Sequence, residues 1–235
     1  VDAEVLAGDL AQRVGRLVAR ALRAALLLEA ASENMQARIR ALYLRLTPWP
    51  ERALGFQVGL VPPVFGAFPR RAYGEDGSLI GFPLVYQYLT TMRSDAVPYG
   101  ADDLLGVRGR GWYVPYPTGL YPPGAGLPLV SGTRWDTGVQ LHGVTGAFEW
   151  TGAITAGSLS DPRFGDNNTG RQYTGRLIAR PTLALALGVS ASRGAWLNRN
   201  IDDAIVGADA ADRARQTAFG GDAEFSAGPL LIRGE

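Results

Sequence analysis

From Leu22 onward the chain alternates between large apolar and small or polar side chains. That period of two belongs to extended strands, whose successive residues point to opposite faces. The clearest run sets Leu54, Phe56, Val58 and Leu60 against Gly55, Gln57 and Gly59. A second sets Leu183, Leu185, Leu187, Val189 and Ala191 against Ala184, Ala186, Gly188, Ser190 and Ser192. Between Arg134 and Gly143, one face carries Trp135, Val139 and Leu141 and the other Arg134, Asp136, Gln140 and His142. Phe148, Trp150 and Ile154 then oppose Glu149, Thr151 and Thr155, and Phe219, Ala223 and Phe225 oppose Asp222 and Glu224. Further strands are expected over 38–47, 171–180 and 230–235. The first 21 residues are ambiguous: Leu6, Leu10, Val14, Leu17 and Val18 fall at helical spacing, yet the same stretch could be one more strand and its loop.

The connections alternate in length. Short ones are expected at Pro48–Ala53, Val144–Gly146, Pro181–Thr182 and Ala227–Pro229, and long ones at Pro62–Gly132, Ser158–Gly170 and Gly194–Asp212. This rhythm describes an all-β, antiparallel up-and-down meander of about nine or ten strands, with short turns at one rim and long loops at the other. No polar linker divides the chain, so residues 1–235 read as one β domain. The chain opens at Val1 without a Met and stops at Glu235 within an expected strand, so it is expected to be a processed piece or a fragment.

Alternation alone does not say which face is dry. A soluble sandwich buries its apolar face, whereas a transmembrane barrel turns that face to lipid and its polar face to a wet lumen. Three features favour the membrane. Strands of about ten residues match the roughly 9–11 that cross a bilayer at a tilt. Opposite charges share the polar face, as in Arg134 with Asp136, and Glu149 near Arg176 and Arg180. Aromatics fall near strand ends at Trp49, Trp135 and Phe148, with Trp150 close by, where an interfacial girdle would lie. The longest apolar run, Ala24–Leu28, is far too short for a spanning helix, so any crossing must be by strands.

Charge and composition exclude other classes. All 23 cations are arginine against 22 acidic residues, a net charge of +1, which gives no field to attract nucleic acid. Without cysteine there is no thiolate nucleophile and no Cys-ligated metal, and one histidine makes no multi-His site.

The stretch Leu54-Gly-Phe-Gln-Val-Gly-Leu-Val-Pro-Pro-Val-Phe-Gly-Ala-Phe68 resembles the strand and Pro-x-Phe-Gly turn of bacterial outer-membrane porins of the phosphate-selective type. The run Phe219-Gly-Gly-Asp-Ala-Glu-Phe-Ser-Ala-Gly-Pro-Leu-Leu-Ile-Arg-Gly-Glu235 is similar to a later hairpin of such proteins. The resemblance implies an outer-membrane barrel of about 16 strands, normally trimeric, with an inward-folded loop narrowing the pore. Members that select phosphate use a ladder of arginines and lysines; this chain has no lysine and departs from that pattern.

Long structureless connections usually have a function, and Pro62–Gly132 is expected to fold into or over the lumen as a constriction or plug. It balances Arg70, Arg71, Arg93, Arg108 and Arg110 against Glu75, Asp76, Asp95, Asp102 and Asp103, although Arg108 and Arg110 could form a cationic strip beside Trp112 and Tyr113. Equally, the segment reads as a self-packed external loop with solvated charges. Its aromatics, Trp112, Tyr113 and Tyr116 among them, could stack on a sugar or simply form the loop's core. The pore-lining candidates on the strands are Arg134, Asp136, Gln140, Glu149, Arg176 and Arg180, because Arg on a lipid face costs about 2–4 kcal/mol at the midplane.

His142 is the only imidazole base, and Asp136 on its face lies about 20 Å away along a strand, so no catalytic pair forms within it. No Gly-x-Ser-x-Gly elbow accompanies it. Asp161–Gly170 is rich in oxygen ligands but lacks the spacing of an EF-hand loop. The expected function is a bacterial outer-membrane porin without cofactor, metal or turnover, passing small polar solutes or inorganic anions, in contact with outer-membrane lipid, with a homotrimer as the assembly the resemblance implies. The alternatives are a soluble β-sandwich that binds carbohydrate and a non-conducting structural or adhesion barrel.

Overall fold

The computed structural model describes residues 22–31, 36–49, 53–70, 83–120, 122–132, 134–166, 168, 170–201 and 214–235. The ambiguous segment 1–21 lies outside the described residues. The strands in chain order are β1 (Leu22–Ala31), β2 (Gln36–Trp49), β3 (Leu54–Val61), the two-residue β4 (Ala96–Val97) and β5 (Thr118–Gly119), β6 (Asp136–Thr145), β7 (Phe148–Thr155), β8 (Gln172–Thr182), β9 (Leu185–Ala195), β10 (Arg215–Ala227) and β11 (Leu230–Gly234).

Among the described residues nine strands form one antiparallel sheet in the order β1-β2-β3-β6-β7-β8-β9-β10-β11, and β4 pairs with β5 apart from it. The chain is therefore all-β and a simple meander, each strand lying beside the next long strand in sequence. The sheet is open, with β1 and β11 at its edges, and is not closed into a barrel. Tight turns at 146–147, 183–184 and 228–229 serve one rim, and Gly146 and Gly228 supply the positive φ of 58° and 57° that two of them require. The long connections 62–135, 156–171 and 196–214 all leave from the other rim.

Two expectations need correction here. The turn between β8 and β9 is Leu183–Ala184 instead of Pro181–Thr182, so Leu183 stands fully exposed at the turn and outside the strand. The pairing register slips between Ala179 and Thr182, and a proline with no N–H to donate is tolerated at such an irregularity. Trp135 does not join the face of Val139 and Leu141. It precedes β6, and its ring stacks on Tyr43, 6.1 Å between centroids, on the polar side of the sheet. Alternation holds only within the strand, and Trp135 lies one residue before it.

Burial in the sheet is inverted relative to a soluble protein. Ser190 and Ser192 are 5% exposed while Val189 between them is 59% exposed, and Arg176 is 6% exposed beside Leu177 at 43%. The pattern continues with buried Gln57, Gln140, Thr151 and Thr155 against exposed Phe56, Val58, Leu141 and Ile154. Polar residues are dry where the long connections lie over them, as at Ser190, Gln216 and Gly220, and among the described residues the apolar face has no segment packed on it.

The segment 83–132 is not structureless. It contains a helical turn at Leu84–Gln87, a short helix at Ala101–Gly106, and a core of Ala96, Val107, Val114 and Tyr116. Arg93, its side chain 4% exposed, organises this core: Nε meets Asp95 Oδ1 at 2.9 Å, and the guanidinium donates to the carbonyls of Val114 at 2.7 Å and Leu120 at 3.4 Å. The self-packed reading of this loop accounts for Arg93, Asp95 and Tyr116.

Candidate functional site: the polar face and the segment laid on it

The polar face is continuous because antiparallel pairing aligns inward residues across strands. Gln57 stands opposite Gln140, and Gly55 opposite His142. A Cβ on Gly55 would lie 2.3 Å from the His142 imidazole, so the glycine is what allows the ring to lie flat across β3 near the short-turn rim. Farther along, Thr174 and Ser192 hydroxyls are 2.9 Å apart, and Arg176 Nη1 donates to Ser190 Oγ at 3.1 Å.

A charge pair spans this face. Arg176 on β8 reaches over β9 to Asp222 on β10, with Nη2 to Oδ1 and Nη1 to Oδ2 both 2.7 Å. The two side chains are 3% and 10% exposed. Gly188 lies between them: a Cβ there would stand 2.4 Å from the Asp222 carboxylate and 2.7 Å from the guanidinium. This corrects the expected neighbour of Arg176, which is Asp222 and not Glu149. Glu149 lies 4.0 Å from Arg180 near the short-turn rim, as the strand order allows.

Arg134 and Asp136 do not pair. Arg134 Nη1 is 3.4 Å from Asp161 Oδ1, while the buried Asp136 carboxylate accepts the backbone N–H groups of Gly157, at 3.0 Å, and Arg163, at 3.2 Å. Asp136 thus fastens the β7–β8 connection to the start of β6. Asp161 is held by Arg163, 2.5 Å from Nη2 to Oδ2, and by Ser94 Oγ at 3.0 Å, so its oxygens serve arginine and hydroxyl partners in this loop.

Onto the polar face comes Pro62–Phe68, the start of the long connection. Phe65 packs with Tyr86, Val130 and Leu159, and its ring covers Gly220, where a Cβ would stand 2.9 Å from Cζ. The Gly66 N–H donates to Ser190 Oγ at 3.1 Å. Ala67 and Phe68 N–H groups donate to the two oxygens of Glu235 at 3.2 and 3.1 Å, and the Tyr86 hydroxyl donates to the same carboxylate. Burial and that carboxylate push the Tyr86 phenol well above its ordinary pKa, so it stays a donor. Between the segment and the wall a cavity of about 30 Å³, lined by Pro62, Phe65, Asp136, Thr155, Gln172 and Thr174 among others, has room for a single water.

The structure therefore brings Gln140 and Arg176 onto one buried polar surface, with Glu149 and Arg180 toward its short-turn rim and Arg134 and Asp136 at its loop end. It does not bring the loop candidates there: Arg108, Arg110, Trp112 and Tyr113 are exposed on the loop, with the Trp112 and Tyr113 rings 5.8 Å apart, and Tyr116 is buried in the loop's own core. The Arg70 side chain and all of Arg71 lie outside the described residues. Sequence reasoning missed Ser190, Phe65 and Glu235 as site residues, offered Tyr86 only among the loop aromatics that could stack on a sugar or form the loop's core, and left Asp222 without its partner. Glycines at inward positions, Gly188 and Gly220, were the available signal, since an inward glycine makes room for a neighbour's side chain.

Comparison with protein-family models, with curated proteins and with solved structures gives no match.

Proposed function

We propose that this chain forms part of the wall of a bacterial outer-membrane β-barrel channel, through which small polar or anionic solutes diffuse passively, as its resemblance to phosphate-selective porins implies. The observation that carries the reading is the inverted sheet, apolar where it is exposed and polar where it is covered. Lipid would cover the apolar face, and strands of 10–14 residues such as β2, β6, β8 and β10 have the length to cross it. The nine strands contribute an arc of the wall, and closing a barrel would take strands beyond this sheet.

Transport in this reading needs no cofactor. Solutes are weighed by size and by the charges left at the water-filled side. Arg176 is neutralised by Asp222 and buried, so the charges it leaves to the water-filled side, among the described residues of β6 to β10, are the more exposed Arg134 and Arg180 near the two rims, each beside a carboxylate.

The test is single-channel conductance in a planar bilayer, with the reversal potential read under a KCl gradient. Steady open-channel steps are expected, with a sign that reports weak anion preference. A chain that stays in detergent-free buffer and gives no steps refutes the proposal and turns attention to carbohydrate binding at the exposed Trp112 and Tyr113. Insertion without conductance replaces it with a structural or adhesion barrel.

A further inference from the structure

On the polar face, where β2, β3 and β6 run side by side, we propose a subsite in which Tyr43, Trp135 and Gln140 hold a neutral polyhydroxylated solute, a sugar or polyol. This rests on the channel reading above and names the class of solute. Pairing sets Tyr43 opposite Gly59, and Gly59 opposite Gly138. With no side chain at either glycine, the Trp135 ring reaches across β3 to stack on Tyr43, 6.1 Å between centroids and 27° between planes. The Arg45 guanidinium is set against the same Tyr43 ring, 5.6 Å from its centroid. The next inward pair along the two strands is Gln57 facing Gln140, a step of about 7 Å at roughly 3.3 Å per residue. An aromatic stack and a pair of amides thus stand side by side on the wall.

Both rings are half-buried and keep an open side. Two polar atoms beside them are shut off from solvent: among the described residues neither Trp135 Nε1 nor Gln140 Oε1 has a hydrogen-bond partner, and Gln140 as a whole is 7% exposed. Leaving a buried donor or acceptor unpaired is costly, so such groups mark places where another molecule completes the pairing. The amide ends a flexible side chain, and a turn about its last torsion brings Oε1 to a solute seated on the rings.

The two atoms select the chemistry. An indole N–H only donates and an amide oxygen only accepts. An anion such as phosphate offers oxygens to the indole but sets its charge against the amide oxygen, and a cation repels the indole hydrogen. A hydroxylated ring accepts from one and donates to the other, while its C–H face lies on the aromatic surface. Nearby charges do not favour an ion, since the Asp136 carboxylate is taken up by backbone N–H groups and Arg134 stands beside Asp161.

The test uses the full chain, in detergent for calorimetry and in planar bilayers for conductance, with glucose and maltose as probes and inorganic phosphate for comparison. Saturable heat is expected with the sugars and none with phosphate, and the sugars should reduce the open-channel current as they bind. Trp135→Phe keeps a ring and removes the N–H, and Gln140→Met keeps the length and removes the acceptor. Each should weaken sugar binding about fivefold or more, the equivalent of one neutral hydrogen bond. Tyr43→Leu removes half of the stack and carries the test if those variants do not fold. Trp112→Ala, on the exposed loop, should leave binding unchanged. Sugar binding that survives Trp135→Phe and Gln140→Met, or that Trp112→Ala abolishes, overturns the subsite. Phosphate binding as tight as sugar binding, or no saturable heat with either, overturns it too. Open-channel steps that sugars do not alter leave the channel standing and overturn the subsite, whereas sugar binding with the expected losses but no steps in any background supports the subsite and overturns the channel reading.

Discussion

Replacing Asp222 with alanine tests whether the polar face is dry. In the folded chain the Arg176 guanidinium is 3% exposed and is held by both carboxylate oxygens of Asp222 at 2.7 Å, with Ser190 Oγ as a further acceptor. Asp222→Ala leaves a buried cation facing one hydroxyl. Removing one member of a buried pair costs about 3–5 kcal/mol, against less than about 1 kcal/mol for an exposed pair. The internal control is Glu224, whose partner Arg233 lies at 3.0 Å with both side chains 28% exposed. Glu224→Ala should therefore be nearly silent, while Asp222→Ala shifts the folding equilibrium by about two to three and a half powers of ten at 1.4 kcal/mol per decade. Arg176→Met combined with Asp222→Ala removes both charges and should recover most of the loss. Urea unfolding of the detergent-solubilised chain, followed by tryptophan fluorescence, reads these as shifts of the midpoint at constant slope. Equal shifts for Asp222→Ala and Glu224→Ala, or a double variant no better than the single one, would refute the burial on which the inverted sheet depends.

Further predictions address the outer face, the glycine seats and the loop. Val189→Arg, on the exposed apolar face, should reduce folding into lipid vesicles by about 2–4 kcal/mol if that face meets mid-bilayer, whereas in a water-exposed sheet the change stays within about 0.5 kcal/mol. Gly55→Ala drives a Cβ into the His142 ring and should destabilise by about 1–3 kcal/mol, with His142→Ala in the same chain restoring stability in a double-mutant cycle. Arg93→Met removes the guanidinium from Val114, Leu120 and Asp95, so hydrogen exchange should accelerate across 89–127 while β6–β9 keep their protection.

The strands were legible because alternation is a local property. Leu54, Phe56 and Val58 opposing Gly55 and Gln57 needs no partner to be read, and the same holds for Val189 against Ser190. The rhythm of short and long connections was equally local and led directly to the meander. Local reading failed where a strand begins or ends. Trp135 is one residue outside β6 and turns to Tyr43, and Pro181 marks a slip in register while the turn falls two residues later. The site was less legible because its contacts are between distant residues. Arg176 meets Asp222 only because β9 carries glycine at 188, and Glu235 meets Tyr86 across 149 positions of sequence. The polar face was assigned from the pattern; what lies on it is decided by loop packing, which carries no period.

The order of strands also sets the order of assembly. β6 to β11 are joined by two-residue turns alternating with connections of moderate length, so each hairpin can dock on the one before it at little entropic cost. β3 and β6 are different: more than 70 residues separate them, and closing such a loop costs about 2–3 kcal/mol more than closing a tight turn. Joining the two halves of the sheet is accordingly the slow event in folding. Until Gln57 finds Gln140, β3 exposes an unpaired edge, and a factor that shields this edge during biogenesis would determine the yield of the protein more than any single contact in the finished fold.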